Sequence, residues 1–123
     1  MENLSYIAGS AFERCQNLIS NSTLPNKIIS LKSYTFNKCS KISLSDFTQI
    51  ESIGNNCFSD AGKSVTNIVL NGNLTEKAFS GFGASPIDSV TIEGWSDTPD
   101  NASAYLRNIG FNTSSINNTI IIP

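Results

Sequence analysis

The sequence predicts a repeat solenoid: a right-handed stack of short turns whose strands run in parallel register, closed at the C-terminal end by a helix. Three observations predict it. Phenylalanine recurs at Phe12, Phe36, Phe58 and Phe79, at intervals of 24, 22 and 21 residues, each time behind a small residue, Ala11, Thr35, Cys57 or Ala78. Downstream of each Phe, an apolar residue is followed at +3 and +5 by two more: Cys39, Ile42, Leu44, then Val65, Ile68, Leu70, then Ile87, Val90, Ile92. After Ser96 the spacing becomes helical. A unit of 20–50 residues cannot bury its own apolar face, so self-similarity at that period implies stacked units that share one core.

Each element has its own signal. The alternation of Ile42 with Leu44, Ile68 with Leu70 and Val90 with Ile92 is the period-2 mark of a short strand with one buried face, so Ser43, Val69 and Thr91 are expected to point outward. A weaker first strand is read at Ile19 to Leu24. Ile28 with Leu31, and Ile50 with Ile53, supply a second apolar pair before the next Phe, and Gly54 and Gly72 stand where the path must turn. Three residues after each Phe come Cys15, Cys39, Ala61 or Phe82, so Cys15 and Cys39 are expected as buried apolar fillers at equivalent points of successive turns. Cys57 takes the small slot before Phe58. Three cysteines without C-x-x-C spacing form neither a complete disulfide set nor a zinc signature.

The last segment is a cap. Thr98-Pro99-Asp100 places an N-cap, a proline at the first helical position and an acid in the first turn. Ala102, Tyr105, Leu106 and Ile109 follow at i, i+3, i+4, i+7, and Gly110 stands ready to end the helix. Thr119 to Ile122 then reads as a final parallel strand. The N-terminal end shows no comparable cap at Met1, with Leu4, Tyr6 and Ile7 as a partial one. Trp95 is either a plug against the terminal helix or an exposed anchor.

Composition narrows the function. With 8 Lys+Arg against 10 Asp+Glu the net charge is −2, and the basic residues are scattered from Arg14 to Arg107, which gives nucleic acid no patch to bind. The chain has no histidine, which excludes His-based acid–base chemistry, His-activated nucleophiles and His-ligated metals. No G-x-G-x-x-G, Walker loop or EF-hand spacing occurs. No cofactor is expected. The stretch from Met1 to Leu18 has no apolar run long enough for a signal or membrane span. The polar surplus lies in 15 Asn and 28 Ser+Thr, the material of turns and hydroxyl-rich strands.

The units resemble the BspA-like (Treponema pallidum type) leucine-rich repeat. The likeness rests on Ala11-Phe12-Glu13-Arg14-Cys15-Gln16-Asn17-Leu18, on Thr35-Phe36-Asn37-Lys38-Cys39, and on the stretch from Ile50 to Phe58. Leu24-Pro25 and Ile122-Pro123 match the proline that ends the family strand. The resemblance implies one domain over residues 1–123, with repeats at about 5–27, 28–49, 50–71 and 72–94 and a cap at 95–123. It also implies a short parallel β-sheet, a convex side of turns or short helices, and no catalysis. A ligand, protein or glycan, is then expected on the outward strand face: Ser43, Asn67, Val69, Ser89, Thr91, Glu93 and Trp95. The same residues also fit a merely solvated face. The repeat type points to an adhesion module at a cell surface or in a secreted protein; the short length and Met1 start point instead to an assembly component such as a virion subunit. An enzyme ranks behind both.

Overall fold

The computed structural model describes residues 4–123 and shows successive turns stacked on one another; Met1, at which the sequence leads one to expect no cap, lies outside those residues. Its elements are β1 (Ser30–Leu31), β2 (Ser52–Ile53), β3 (Asn67–Asn71), β4 (Ile87–Glu93), α1 (Pro99–Asn108), a 3₁₀ turn at Thr113–Ser115, and β5 (Ile116–Ile122). All strand pairing is parallel. β1 pairs with β2 through Ser30–Ser52 and Leu31–Ile53. β3, β4 and β5 form the larger sheet in that order. Ile68 lies beside Val90 and Leu70 beside Ile92, as the two apolar triplets predict.

One side of every turn is organised around its phenylalanine. The rings of Phe12, Phe36, Phe58 and Phe79 stack with centroids 5.5, 5.2 and 5.6 Å apart and planes within 10°. Parallel strands lie about 4.7–4.9 Å apart, so a ring repeated once per turn meets its copy at stacking distance. The backbone around the first three rings is equally regular. Residues two before and two after the Phe have left-handed φ: Ser10 and Arg14, Tyr34 and Lys38, Asn56 and Asp60. The N–H groups at −2, 0 and +2 all point toward the next turn, whereas those at +1 and +3 turn back to carbonyls three residues earlier in the same turn. Tyr34, Phe36 and Lys38 donate to the carbonyls of Asn55, Cys57 and Ser59 at 3.2, 2.8 and 2.8 Å, and the turns before and after repeat the pattern.

The core fills the space between this column and the sheets. Phe36, Phe58 and Phe79 are buried, with Ile28, Leu31, Ile42, Leu44, Ile50, Ile68, Leu70 and Ile92 around them. Phe82 sits edge-on to Phe58, Phe79 and Phe47 at 5.5 to 5.8 Å. Gly54 is required by contact: a Cβ there would collide with the backbone of Lys32 and Ser33. The helix forms as expected, with the Thr98 side chain accepting from Asn101 N and with Ala102, Leu106 and Ile109 buried. β5 adds a last parallel strand, longer than the predicted segment from Thr119.

Three expectations are corrected. Cys15 is exposed, whereas Cys39 and Cys57 are buried; the first turn has a neighbour on one side only among the described residues, so its equivalent slot opens to solvent. Strands were expected at Ile19 to Leu24 and at Ile42 to Leu44, yet these turns join the sheet only through single bridges, Thr23 to Asp46 and Asp46 to Val69. The register there puts Phe47 beside Leu70, and Phe47 is fully buried against Phe58 and Phe79 at 5.0 and 5.4 Å. Its ring takes the inward slot expected of Leu44, which packs into the core ahead of the ladder. Finally, the column has a member that the spacing did not show: Phe111 stacks on Phe79 at 4.9 Å.

The first turn packs less tightly. Phe12 is 36% exposed, and Leu4, Ile7, Phe12, Leu18, Leu24 and Phe36 line an apolar groove of about 790 Å³ at that end. Phe58→Ala should therefore cost about 3–5 kcal/mol in urea unfolding, and Phe12→Ala less than half of that. A smaller gap between the two would contradict a column closed at one end and open at the other. Burial pushes the Cys57 thiol up to about 12 and raises that of Cys39 as well. Titration of native protein with a thiol reagent should modify one cysteine quickly, Cys15, and release the other two only on unfolding.

Candidate functional site

The outward face of the β3–β4–β5 sheet is a grid of three rows. Asn67, Ser89 and Asn118 are laterally aligned, as are Val69, Thr91 and Ile120, and Asn71, Glu93 and Ile122. The middle row extends through Asp46 to Thr23 by the two isolated bridges. In each strand the alternate residues, such as Ile68, Leu70, Val90 and Ile92, point into the core, which leaves the grid side chains half-buried or exposed.

Short polar contacts order part of this face. Ser89 Oγ donates to Asn67 Oδ1 at 2.8 Å, and Asn118 Nδ2 donates to the Asp88 carbonyl at 3.1 Å. Asn71 Nδ2 donates to the Ile50 carbonyl, and its Oδ1 accepts from Asn73 N at 2.9 Å. Asp46 is held by the Thr48 amide and hydroxyl, at 3.0 and 2.7 Å. With Glu93 and Asp46 and neither Lys nor Arg, the grid is slightly acidic; Ile120 and Ile122 make its β5 end apolar, and Val69 adds an apolar side chain on β3.

The residues read from the sequence as a binding face divide into three groups. Asn67, Val69, Ser89, Thr91 and Glu93 come together on the grid. Ser43 does not: it is exposed, its amide donates to Ser20 Oγ at 3.1 Å, and Asp46 occupies the ladder position expected for it. Trp95 lies beyond β4, half-buried, its ring 5.3 Å from Tyr105 and its Nε1 donating to the Thr98 carbonyl at 3.2 Å. It is a packing element beneath the helix, not a free anchor. Asp46, Asn118, Ile120 and Ile122 were missed. Aligning Leu24-Pro25 with Phe47-Thr48 would have found Asp46, and treating Thr119 to Ile122 as a full member of the sheet would have found the last two.

The helix that borders this face is pinned by one hydroxyl. Tyr105 Oη donates to the Asn71 carbonyl at 2.7 Å and accepts from the Leu74 amide at 2.9 Å. Burial is the main reason its phenol is pushed up to about 12. Asp97 at the helix start is held below the usual carboxylate range by the Thr98 amide and the Asn101 side chain. Among the described residues no group of three or more His, Cys, Asp or Glu could hold a metal ion, and no helix is long and apolar enough to cross a membrane.

Tyr105→Phe should cost about 1–2 kcal/mol in urea unfolding near neutral pH, since it strands the Leu74 amide and the Asn71 carbonyl together. The pH profile gives a second reading. The folded pKa is raised from 10.0 to about 12, so its contribution is complete below about pH 10 and is lost as pH rises through the folded value. Wild-type stability should therefore fall between about pH 9, where Cys57 begins to contribute, and about pH 12, and above about pH 10 the variant should fall less. Cys57, raised from 9.0 to about 12, and Cys39, raised as well, contribute slope in both proteins.

Comparison with known families gives one match: the BspA type leucine-rich repeat region, in six copies over residues 1–110. Searches of curated proteins and of solved structures return no match.

Proposed function

Since the chain belongs to the BspA type leucine-rich repeat family, whose repeats are generally protein-binding modules, we propose that it is a non-catalytic adhesion module presented at a cell surface or secreted. We take it as a single domain over residues 1–123, a right-handed superhelix with repeats at about 5–27, 28–49, 50–71 and 72–94, the Phe turns on its convex side and a cap at 95–123. Only a non-catalytic repeat family is found for the chain.

The observation that carries this reading is the outward grid. Its side chains project from a sheet whose other face is locked into the core, so ligand contacts are placed on a rigid frame. Small hydroxyl and amide groups beside Val69, Ile120 and Ile122 suit a partner surface that is itself mixed polar and apolar, and Asp46 and Glu93 disfavour an acidic one. A protein ligand fits this mixture better than a glycan, which would be expected to find aromatic platforms on the face; the indole of Trp95 is engaged with Tyr105 instead.

The test is binding with and without the middle row. The chain is immobilised and screened against a panel of extracellular-matrix proteins and a glycan array, beside a Val69→Arg/Thr91→Arg variant. The expected result is a protein hit that the variant weakens at least about tenfold, or about 1.4 kcal/mol, with no change in melting temperature. Equal binding by both proteins, or no hit on either panel, would sink the reading.

A further inference from the structure

The grid ends at a strand with one neighbour, and the way that strand is left points to a second copy of the chain. Among the described residues β5 pairs with β4 and with nothing on its other side. Ile122 O accepts from Trp95 N at 3.1 Å. In a parallel ladder residues two apart face the same way, so Asn118, Ile120 and Ile122 direct their backbone groups to β4. Asn117, Thr119 and Ile121 therefore turn their N–H and C=O groups to the open side.

Such an edge is normally blunted by a charge, a proline or a bulge. From Ile116 to Ile122 the sequence Ile-Asn-Asn-Thr-Ile-Ile-Ile contains none of these. It also carries the most exposed apolar side chains of the sheet, Ile120 at 45% and Ile122 at 44%.

What can pair there is limited by the cap. A further parallel turn would have to extend the Phe column as well as the sheet. The column is closed, because Phe111 is buried and Ala102, Leu106 and Ile109 of the cap are buried with it. The occupant must therefore reach the strand edge alone. An antiparallel copy of β5 does so, and a two-fold axis matches the segment to itself.

We propose that two chains associate through β5, antiparallel, with Ile120 on the two-fold axis. Ile120 then faces Ile120, Ile122 faces Asn118, and Thr119 exchanges backbone hydrogen bonds with Ile121 of the other copy. The outward grids join into one six-stranded face. Since the segment has no charge, self-pairing sets no like charges opposite one another. Asn118 and Ile122 lie on the same outward side as Ile120, so the contact covers the exposed isoleucines while the core residues stay where they are. The pairing continues the sheet that β3, β4 and β5 already form.

Sedimentation of the intact chain tests this at about 100 μM, well above a micromolar Kd. The expected result is a dimer, and Ile120→Lys, which places two ammonium groups face to face, should yield a monomer with unchanged far-ultraviolet circular dichroism. A second measurement does not depend on that variant. In a Cys15→Ser background, Ile120→Cys should form a disulfide-linked dimer in oxidised glutathione, because the axial residues form a non-hydrogen-bonded pair with Cα atoms about 4.5 Å apart. Val69→Cys in the same background, two strands from the edge, should not. A wild-type monomer, a dimer that survives Ile120→Lys, or equal cross-linking at both positions would overturn the proposal.

Discussion

The structure depends on N–H groups that all point one way along the stack. In the turns of Phe12, Phe36 and Phe58, three per turn are directed at the next turn from a segment with a left-handed residue on either side of the Phe, and the donors are matched by carbonyls at the adjacent positions of that turn. Left-handed φ costs an L-residue roughly 1–2 kcal/mol, yet Ser10, Arg14, Tyr34, Lys38, Asn56 and Asp60 all adopt it. Each such residue gains a backbone hydrogen bond to the following turn, and the ring between each pair stacks on its neighbour. The cost and the gain therefore belong to the same five-residue segment. This is why the spacing of Phe12, Phe36 and Phe58 varies from 24 to 22 residues while the geometry around each ring does not: length changes are absorbed between the Phe turns, where the chain runs from core to sheet.

That tolerance decides what could be read from the sequence. The rings Phe36, Phe58 and Phe79, the register of β3 with β4 and the helix from Thr98 were legible, since each rests on a local pattern of fixed spacing. Phe47 was not. The second turn reaches the ladder ten residues after its Phe, at Asp46, and the third eleven residues after, at Val69, so a triplet counted from Cys39 falls short of the sheet. Phe111 was hidden for another reason: it completes the column from within the cap, where no repeat spacing applies. Cys15 matches Cys39 in sequence and differs in exposure because burial in a stack comes from neighbours on both sides.

The abundance of Asn, Ser and Thr has a structural meaning in such a stack. Polar groups that recur at one point of successive turns can satisfy each other between turns, as Asn37 does with Glu13 at 3.1 Å, Ser89 with Asn67, and Asn118 with Asp88. Thr35 is fully buried, with its hydroxyl within 3.2 and 3.0 Å of the Ala8 and Lys32 carbonyls. Among the described residues no buried side-chain nitrogen or oxygen lacks a partner. Neutral amides and hydroxyls suit this role, since identical charges stacked turn upon turn would repel. Low charge is then a consequence of the architecture and leaves the outward grid nearly uncharged as well.

The two ends of the stack differ because the backbone pattern is directional. Donors point from each turn to the following one, so the first turn leaves carbonyls and the last must accept. Gly9, Ala11 and Glu13 are the counterparts of Ser33, Thr35 and Asn37, and their carbonyls accept no backbone bond among the described residues. At the other end the Ile109 carbonyl accepts from Phe79 N at 2.9 Å, and a Cβ on Gly110 would lie 2.7 Å from Ser80 N, so the helix terminus is fitted closely to the last Phe turn. Tyr105 fixes the same helix to the Asn71–Leu74 turn. The cap thus ends the column by supplying a ring and an acceptor, but it cannot end the sheet, because β5 brings a new edge with it. Closing one ladder by a strand that opens another is what leaves a free edge beside the candidate binding face.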